Sequence, residues 1–359
     1  MKEIEKYLPK GWEAKAKEKG ALKRSRHIKT AEELLALNML YITNNGSFQM
    51  ASLGIRIAKG IELNKTAAYK RIRGSWRWLR SMAEELCAEQ GASIRKPAFL
   101  GEKRVILADA SDETTKGKEK STWRLHYAFD LFNFSADQMK LTGIETGEKL
   151  SNYEIRENEI WIADRIYSTM SGIEYVLSKG GDYVIRFKSK AFNLYDEKGE
   201  RIELLSFLRE LRALESTDIR CFYRHETKEM RPIRIVAMKK EESAVEESKR
   251  KMKRKVSKKQ EKPVYEETVE LNEYVVLATS LEYTNEQIIE LYRARWQIEQ
   301  VFYRLKSLFG YGDVPSKNED TVKAWFYGKL FLAALCEKIL KLKSVSFSPE
   351  MVLSTTLAV

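Results

Sequence analysis

The run Arg104-Val-Ile-Leu-Ala-Asp109-Ala-Ser111 carries a short apolar stretch into an acid, and Glu159-Ile-Trp-Ile-Ala-Asp164-Arg-Ile-Tyr167 repeats the arrangement 55 positions later. Unbroken apolar runs of this length mark strands buried on both faces, as in sheets covered by helices. Each acid then falls where its strand ends, and in open α/β sheets ligands gather outside the strand ends. The two runs therefore predict an α/β core in which two carboxylates converge if their strands are neighbours.

A third acid lies far downstream, in Leu291-Tyr-Arg-Ala-Arg-Trp-Gln-Ile-Glu-Gln-Val-Phe-Tyr-Arg-Leu-Lys306. Thr284 and Asn285 can cap a helix here, and no Pro or Gly interrupts it before Gly310, so the spacing predicts one helix. On it Tyr292, Arg295, Glu299 and Lys306 fall within an arc of about 60° and spread over roughly 21 Å. Taken alone, such a face describes the solvent side of any charged helix. Beside Asp109 and Asp164, Glu299 becomes the third carboxylate of a set that can hold two divalent cations about 3.5–4 Å apart for in-line displacement at phosphorus. All-oxygen ligands of this kind suit Mg²⁺.

Together these residues resemble a bacterial insertion-sequence transposase of the DDE type, in the branch marked by Tyr-x2-Arg-x3-Glu-x6-Lys, the insertion-sequence-four family. Asp109-Ala-Ser111 is similar to its first-Asp motif, Ala163-Asp164-Arg-Ile-Tyr167 to its second, and Val276-Leu-Ala-Thr-Ser-Leu281 to the strand before its last helix. Ile166 stands where many relatives have a small residue. The resemblance implies a ribonuclease H-like mixed sheet interrupted by a β-rich insertion, with an N-terminal helical DNA-binding domain. It implies that Asp109, Asp164 and Glu299 bind two Mg²⁺ ions, with Mn²⁺ as a substitute, and that Tyr292, Arg295 and Lys306 contact DNA phosphates. The implied activity is cut-and-paste transposition at terminal inverted repeats by a homodimer. The competing expectation is a domesticated, catalytically inactive DNA-binding regulator.

Composition agrees. With 359 residues, 43% of them hydrophobic, the chain can bury a core and form more than one domain. A net charge of +12 points to an acidic partner, most simply nucleic acid. Cys87, Cys221 and Cys336 are too scattered for a disulfide framework or a zinc site and fit a reducing cytoplasm. No apolar run of about 18 residues points to a membrane.

The expected organisation is a helical DNA-binding domain over 1–100, a catalytic core over 101–188 and 273–315, an insertion over 189–272 and a helical segment over 316–359. In the first, Thr30 caps a helix beginning at Ala31. The segment from Ser47 through Gly60 to Arg73 resembles a helix-turn-helix, with Lys65, Thr66, Tyr69, Lys70 and Arg73 exposed and the second helix continuing past Gly74 to about Cys87. In the core, strands are expected at 104–110, 123–132, 138–146, 159–163 and 182–187, with a helix over 168–178. The insertion carries a basic arm or loop, Lys249-Arg250-Lys251-Met-Lys253-Arg254-Lys255-Val-Ser-Lys-Lys259, for phosphate contact. A long amphipathic helix is expected over 318–343, covering the core or serving a dimer. Asp112, Asp130, Asp137 and Asp182 are read as ordinary turn or edge acids, His126 as a packed imidazole, and Trp296 as a packing wedge.

Overall fold

Helix-forming and strand-forming sequence alternate as expected in the computed structural model, which describes residues 2–23, 27–89, 95–189, 191–259, 266–310 and 313–343. The N-terminal part is helical: α1 (Lys2–Glu5), α2 (Trp12–Glu18), α3 (Ala31–Thr43), α4 (Phe48–Lys59), α5 (Lys65–Arg73) and α6 (Trp76–Glu89). Then come β1 (Arg104–Thr115), β2 (Trp123–Asp130), β3 (Ser135–Gly143), β4 (Glu159–Ala163), α7 (Met170–Ser178) and β5 (Asp182–Arg186). They are followed by β6 (Leu194–Tyr195), α8 (Leu204–Leu208), β7 (Ser216–Arg224), β8 (Met230–Lys239), α9 (Glu242–Lys259) and α10 (Glu266–Leu271). The chain closes with β9 (Tyr274–Thr279), α11 (Asn285–Arg293), α12 (Trp296–Phe309), β10 (Asp313–Val314) and α13 (Glu319–Lys343).

These elements build a mixed α/β protein with a large mixed sheet, organised in two compact bodies. The helical body comprises Met1–Lys96, Ala110–Gly147 and Ile298–Val359; the sheet body comprises Pro97–Asp109 and Glu148–Gln297.

In the helical body, Thr30 Oγ1 accepts from the Glu33 N–H at 3.1 Å while Glu33 Oε2 accepts from the Thr30 N–H at 3.1 Å. This reciprocal cap satisfies donors that the first turn of α3 leaves open. Leu34, Tyr41 and Ile42 from α3, Trp78 and Leu79 from α6, and Trp325, Phe326 and Phe331 from α13 are buried, and α13 packs on α3, α5 and α6. The long C-terminal helix thus covers a core, as its apolar stripe predicts. β2 and β3 form an antiparallel pair next to the second half of β1. His126 is buried in β2 with Nε2 3.0 Å from Thr142 Oγ1, and burial lowers its pKa to about 4, so it is a packed neutral imidazole.

In the sheet body the strand order is β1-β4-β5-β9-β8-β7-β6. β1, β4 and β5 are parallel, whereas β9, β8, β7 and β6 add antiparallel strands. Trp161, Ile160, Ile162, Tyr183, Val184 and Leu277 fill the core. Glu159 is buried in this apolar layer, where Arg104 Nη1 at 2.5 Å, Arg156 Nη1 at 3.2 Å and Trp161 Nε1 at 3.0 Å all donate to it. A buried carboxylate needs such partners to offset its lost hydration.

Several element expectations change, the first of them at the junction of α5 and α6. Gly74 and Ser75 separate α5 from α6, where Ser75 N bonds Ile72 O at 3.0 Å and tightens the turn. The basic run is helical, within α9. No Gly or Pro interrupts it, its acids lie N-terminal and its cations C-terminal as the macrodipole favours, and Lys251 pairs with Glu247 one turn earlier at 2.7 Å. β7 was not expected, because Ser216-Thr-Asp-Ile-Arg-Cys-Phe-Tyr-Arg224 lacks clean alternation; pairing with β8 along its whole length makes it a strand.

Candidate functional site

Parallel pairing sets the first two acids. The β1–β4 register runs from Arg104↔Glu159 to Ala108↔Ala163, so Asp109 and Asp164 each follow the last pair directly. A ladder of five consecutive pairs between two buried segments holds this juxtaposition. Asp109 does not end its strand: β1 continues to Thr115, held in the helical body by β2 and, at Thr114 and Thr115, by β10. Asp164 does end β4. Its Oδ1 accepts from the Ile166 N–H at 3.1 Å and caps the short 3-10 turn Arg165–Tyr167, while Ile166 itself is exposed. The Tyr153 hydroxyl donates to the Asp109 carbonyl oxygen at 2.9 Å, tying the loop before β4 to this strand.

The predicted single helix through Tyr292 and Lys306 is divided. α11 begins with a capping box between Thr284 and Gln287 and stops at Arg293; α12 starts at Trp296. Between them Arg295 N bonds Tyr292 O and Gln297 N bonds Ala294 O, both at 3.0 Å and both spanning three residues. The signature is therefore divided between two helices, with a tighter turn where one ends and the next begins. Arg295 lies in this turn, with Nη1 3.8 Å from Asp109 Oδ2 and its guanidinium 5.8 Å from the Tyr292 ring centre. The pull toward a carboxylate is the interaction that a helix pattern read in isolation leaves out.

Sequence reasoning missed a group of cations beside Asp164. Arg165 Nη2 donates to Asn272 Oδ1 at 3.4 Å, Arg186 Nη2 donates to Tyr274 O at 3.3 Å, and Lys240 Nζ donates to Asn272 O at 2.5 Å. Burial depresses the Arg165 pKa and Arg186 adds to the effect, with Asp164 opposing. Burial pushes Lys240 down to about 8, again with Arg186 and Arg165 contributing. Cations that lower one another's pKa favour an anion among them. Their signal was an Arg directly after Asp164 and cations at the ends of two strands, none of which has a motif spacing.

In the helical body, α12 buries Ile298, Phe302 and Leu305 and exposes Glu299. Trp296, expected to pack, is 44% exposed, and Tyr303 on the same helix is 66% exposed. Lys306 Nζ lies 3.3 Å from Glu113 Oε1, and the Ser111 hydroxyl donates to the same oxygen at 2.6 Å. Glu113 is only 3% exposed, and burial raises its pKa against the opposing pull of Ser111 and Lys306. Glu113 escaped notice because it looks like one more charge after Asp112. Asp112 is bound by Arg124 through both oxygens, at 2.6 and 3.0 Å. Asp130 receives the Asn133 N–H at 3.0 Å, Asp137 Oδ2 accepts from Gln138 Nε2 at 3.1 Å, and Asp182 pairs with Lys103, so these acids have local structural work.

The other predicted contacts are surface features. Ser47 caps α4, Gly60 ends it at φ 67°, and Asn64 Oδ1 accepts from the Ala67 N–H at 2.8 Å to start α5. α5 buries Ala68 and Ile72 and exposes Lys65, Thr66, Lys70 and Arg73; Tyr69 is half-buried, edge-on to Phe48 at 5.3 Å. On α9, Lys249 pairs with Glu273 at 2.7 Å and Arg250 is exposed, while the side chains of Lys253, Arg254 and Lys255 lie outside the described residues.

The ligands expected from the sequence, Asp109, Asp164 and Glu299, are all carboxylates, the chemistry of a hard divalent cation. Arg295 now places positive charge near Asp109, and among the described residues no group of three or more His, Cys, Asp or Glu is drawn together as a metal cluster. Cys87, Cys221 and Cys336 are free thiols, and among the described residues no helix is long and apolar enough to cross a membrane.

Residues 100–336 match the family described as transposase DDE domain. Across 350 residues the chain is 28% identical to the putative transposase InsL for insertion sequence element IS186A of Escherichia coli (strain K12), covering 95% of this chain and 93% of that one. It is 27% identical over 351 residues to the transposase for insertion sequence element IS421 of Escherichia coli, with the same coverage. A shorter likeness, 41% over 66 residues, links it to the transposase for insertion sequence element IS231F of Bacillus thuringiensis subsp. israelensis, covering 18% of this chain and 14% of that one.

Proposed function

The chain belongs to the transposase DDE domain family, and from that premise we propose that it is the transposase of an insertion sequence, of the branch with the Tyr-x2-Arg-x3-Glu-x6-Lys signature. It binds the terminal inverted repeats of its element, cuts there and joins the freed ends to target DNA. The observation that carries this reading is the β1–β4 register, after whose last pair, Ala108↔Ala163, Asp109 and Asp164 follow at equivalent positions. Asp109, Asp164 and Glu299 would hold two Mg²⁺ ions, which when bound activate an attacking oxygen and stabilise a leaving one.

The remaining work falls to the chain's own side chains. Arg295, 3.8 Å from Asp109 and with Tyr292 beside it, would contact the phosphate whose bond is broken. Arg165, Arg186 and Lys240 add positive charge next to Asp164, and Lys306 adds it near Glu113. In the first step water attacks phosphorus and the bond to the 3′ oxygen breaks, leaving a 3′-hydroxyl. In the second, that hydroxyl attacks a target phosphodiester, so one phosphorus–oxygen bond replaces another. Lys65, Thr66, Tyr69, Lys70 and Arg73 on α5, with the basic end of α9, would grip the DNA; exposed Trp296 is available to stack on an unpaired base. A ribonuclease H-like core, action as a homodimer and residence in the bacterial cytoplasm complete the reading.

The test is nicking of DNA that carries the ends of the element, with Mg²⁺. The wild type should cut, and Glu299→Ala should bind the same DNA without cutting. Equal cutting by both would sink the triad, and binding without cutting by the wild type would favour the inactive regulator.

A further inference from the structure

Where α5 turns into α6 the surface has a hollow of about 390 Å³, lined by Lys70, Arg73, Gly74, Trp76, Arg77 and Asp320. Its size lies in the range of sites that hold small ligands, roughly 300–1,000 Å³. Three cations line it against one carboxylate. The indole of Trp76 stacks on Tyr327 with 6.3 Å between ring centres, and the cations of Arg77 and Lys323 stand 4.4 and 4.9 Å from its own centre. Those contacts hold the charges in place. Lys323 also pairs with Glu319, and Arg80 with Glu84 at 2.7 Å, so neighbouring acids are already engaged. Arg73 Nε lies 3.4 Å from Asp320 Oδ2, whereas among the described residues neither Lys70 nor Arg77 has a carboxylate within ion-pair distance. Asp320 thus marks where an anion sits, with two further cations beside it.

We propose that this hollow seats a backbone phosphate of duplex DNA, the Asp320 carboxylate being the internal anion that the phosphate displaces from Arg73. The inference rests on the reading that the protein binds DNA, and it specifies how. Lys70 and Arg73 lie on the exposed face of α5 and Arg77 opens α6, so a phosphate held here fixes the axial position of α5 on the duplex. Phosphate contacts position a reading element, and base contacts made elsewhere on it specify sequence. The break at Gly74 and Ser75 is what brings cations from two helices to one anion; an unbroken helix to Cys87 would not make the hollow.

The experiment is binding of the full-length protein to a fluorescein-labelled duplex of arbitrary sequence across a salt series. Arg77→Ala should weaken binding several-fold and flatten the slope of log affinity against log salt by about 0.9, the value for one lost phosphate contact. Arg77→Glu should weaken it more than tenfold, while Asp320→Asn should tighten it, because no carboxylate then competes. Lys17→Ala removes the same charge from an exposed site on α2 and should change neither quantity comparably. Arg77 is exposed, so its variants should keep the wild-type melting temperature even if Asp320→Asn does not. Wild-type binding with Arg77→Ala and Arg77→Glu both behaving like Lys17→Ala would overturn the phosphate seat and leave DNA binding standing. A wild type that binds no duplex at any salt would overturn both.

Discussion

The two halves of the Tyr292-to-Lys306 signature have different surroundings. Tyr292 and Arg295 belong to the sheet body, where Arg295 is largely buried and drawn to Asp109 at 3.8 Å. Glu299 and Lys306 belong to the helical body, where Glu299 is exposed on α12 and Lys306 reaches a buried carboxylate, Glu113, at 3.3 Å. In both halves a cation already has an acid. The first pairing sits at a candidate metal ligand; the second commits Lys306 to a residue outside the signature. Arg295 and Lys306, the cations proposed to contact DNA phosphates, each have a protein carboxylate as a neighbour.

That contrast can be broken by substitution. The largest effect is expected from Asp109→Asn, which should lower the cleavage rate by about 10³-fold or more, several kcal/mol of transition-state stabilisation, while the melting curve stays near wild type. A comparable loss accompanied by unfolding would move Asp109 from chemistry to structure. Arg295→Ala should come next, cutting turnover more than DNA affinity because its proposed target is the reacting phosphate; steady-state kinetics separate the two. Lys306→Ala should be milder and fall on end-complex stability and strand transfer, as read by gel shift and joining assays. Glu113→Gln sharpens the comparison. Burial raises the Glu113 pKa, so its charged form is disfavoured in the folded protein, and the stability this group contributes at low pH is lost as pH rises through the raised value. The amide should therefore remove that loss in a thermal melt series and release Lys306 to bind DNA somewhat more tightly.

The smallest effect concerns Lys240. Its folded pKa of about 8 lies below the ordinary 10.5, so between those values the unfolded chain holds more protons and stability rises with pH. Lys240→Met should flatten that rise in urea titrations, and inorganic phosphate should flatten it too if Arg165, Arg186 and Lys240 share an anion.

The strands were legible because a buried strand needs little context: Val105-Ile-Leu-Ala108 and Ile160-Trp-Ile-Ala163 can hardly be anything else, and the position of each acid follows from the run before it. The caps at Thr30 and Thr284 were legible for the same local reason, a side chain bonding a backbone N–H three residues on. What sequence did not show was set by distant partners. Periodicity predicts one helix through Arg295, and the turn there comes with its approach to Asp109, 186 positions earlier. Trp296 looked like a wedge because indoles are usually covered, yet α12 turns Ile298, Phe302 and Leu305 inward and leaves it outside. Glu113 and the Arg165–Arg186–Lys240 group acquire meaning only when separated segments pack, and no spacing announces them.

Asp109 and Asp164 are proposed to act together as ligands for a divalent cation. Replacing Asp164 by Cys tests it most directly, since a thiolate is a poor ligand for Mg²⁺ and a better one for the softer Mn²⁺. With DNA carrying the element's ends, Asp164→Cys should not cut in Mg²⁺ and should recover cutting in Mn²⁺, at unchanged DNA affinity. Cutting at the wild-type rate in Mg²⁺ would contradict the claim.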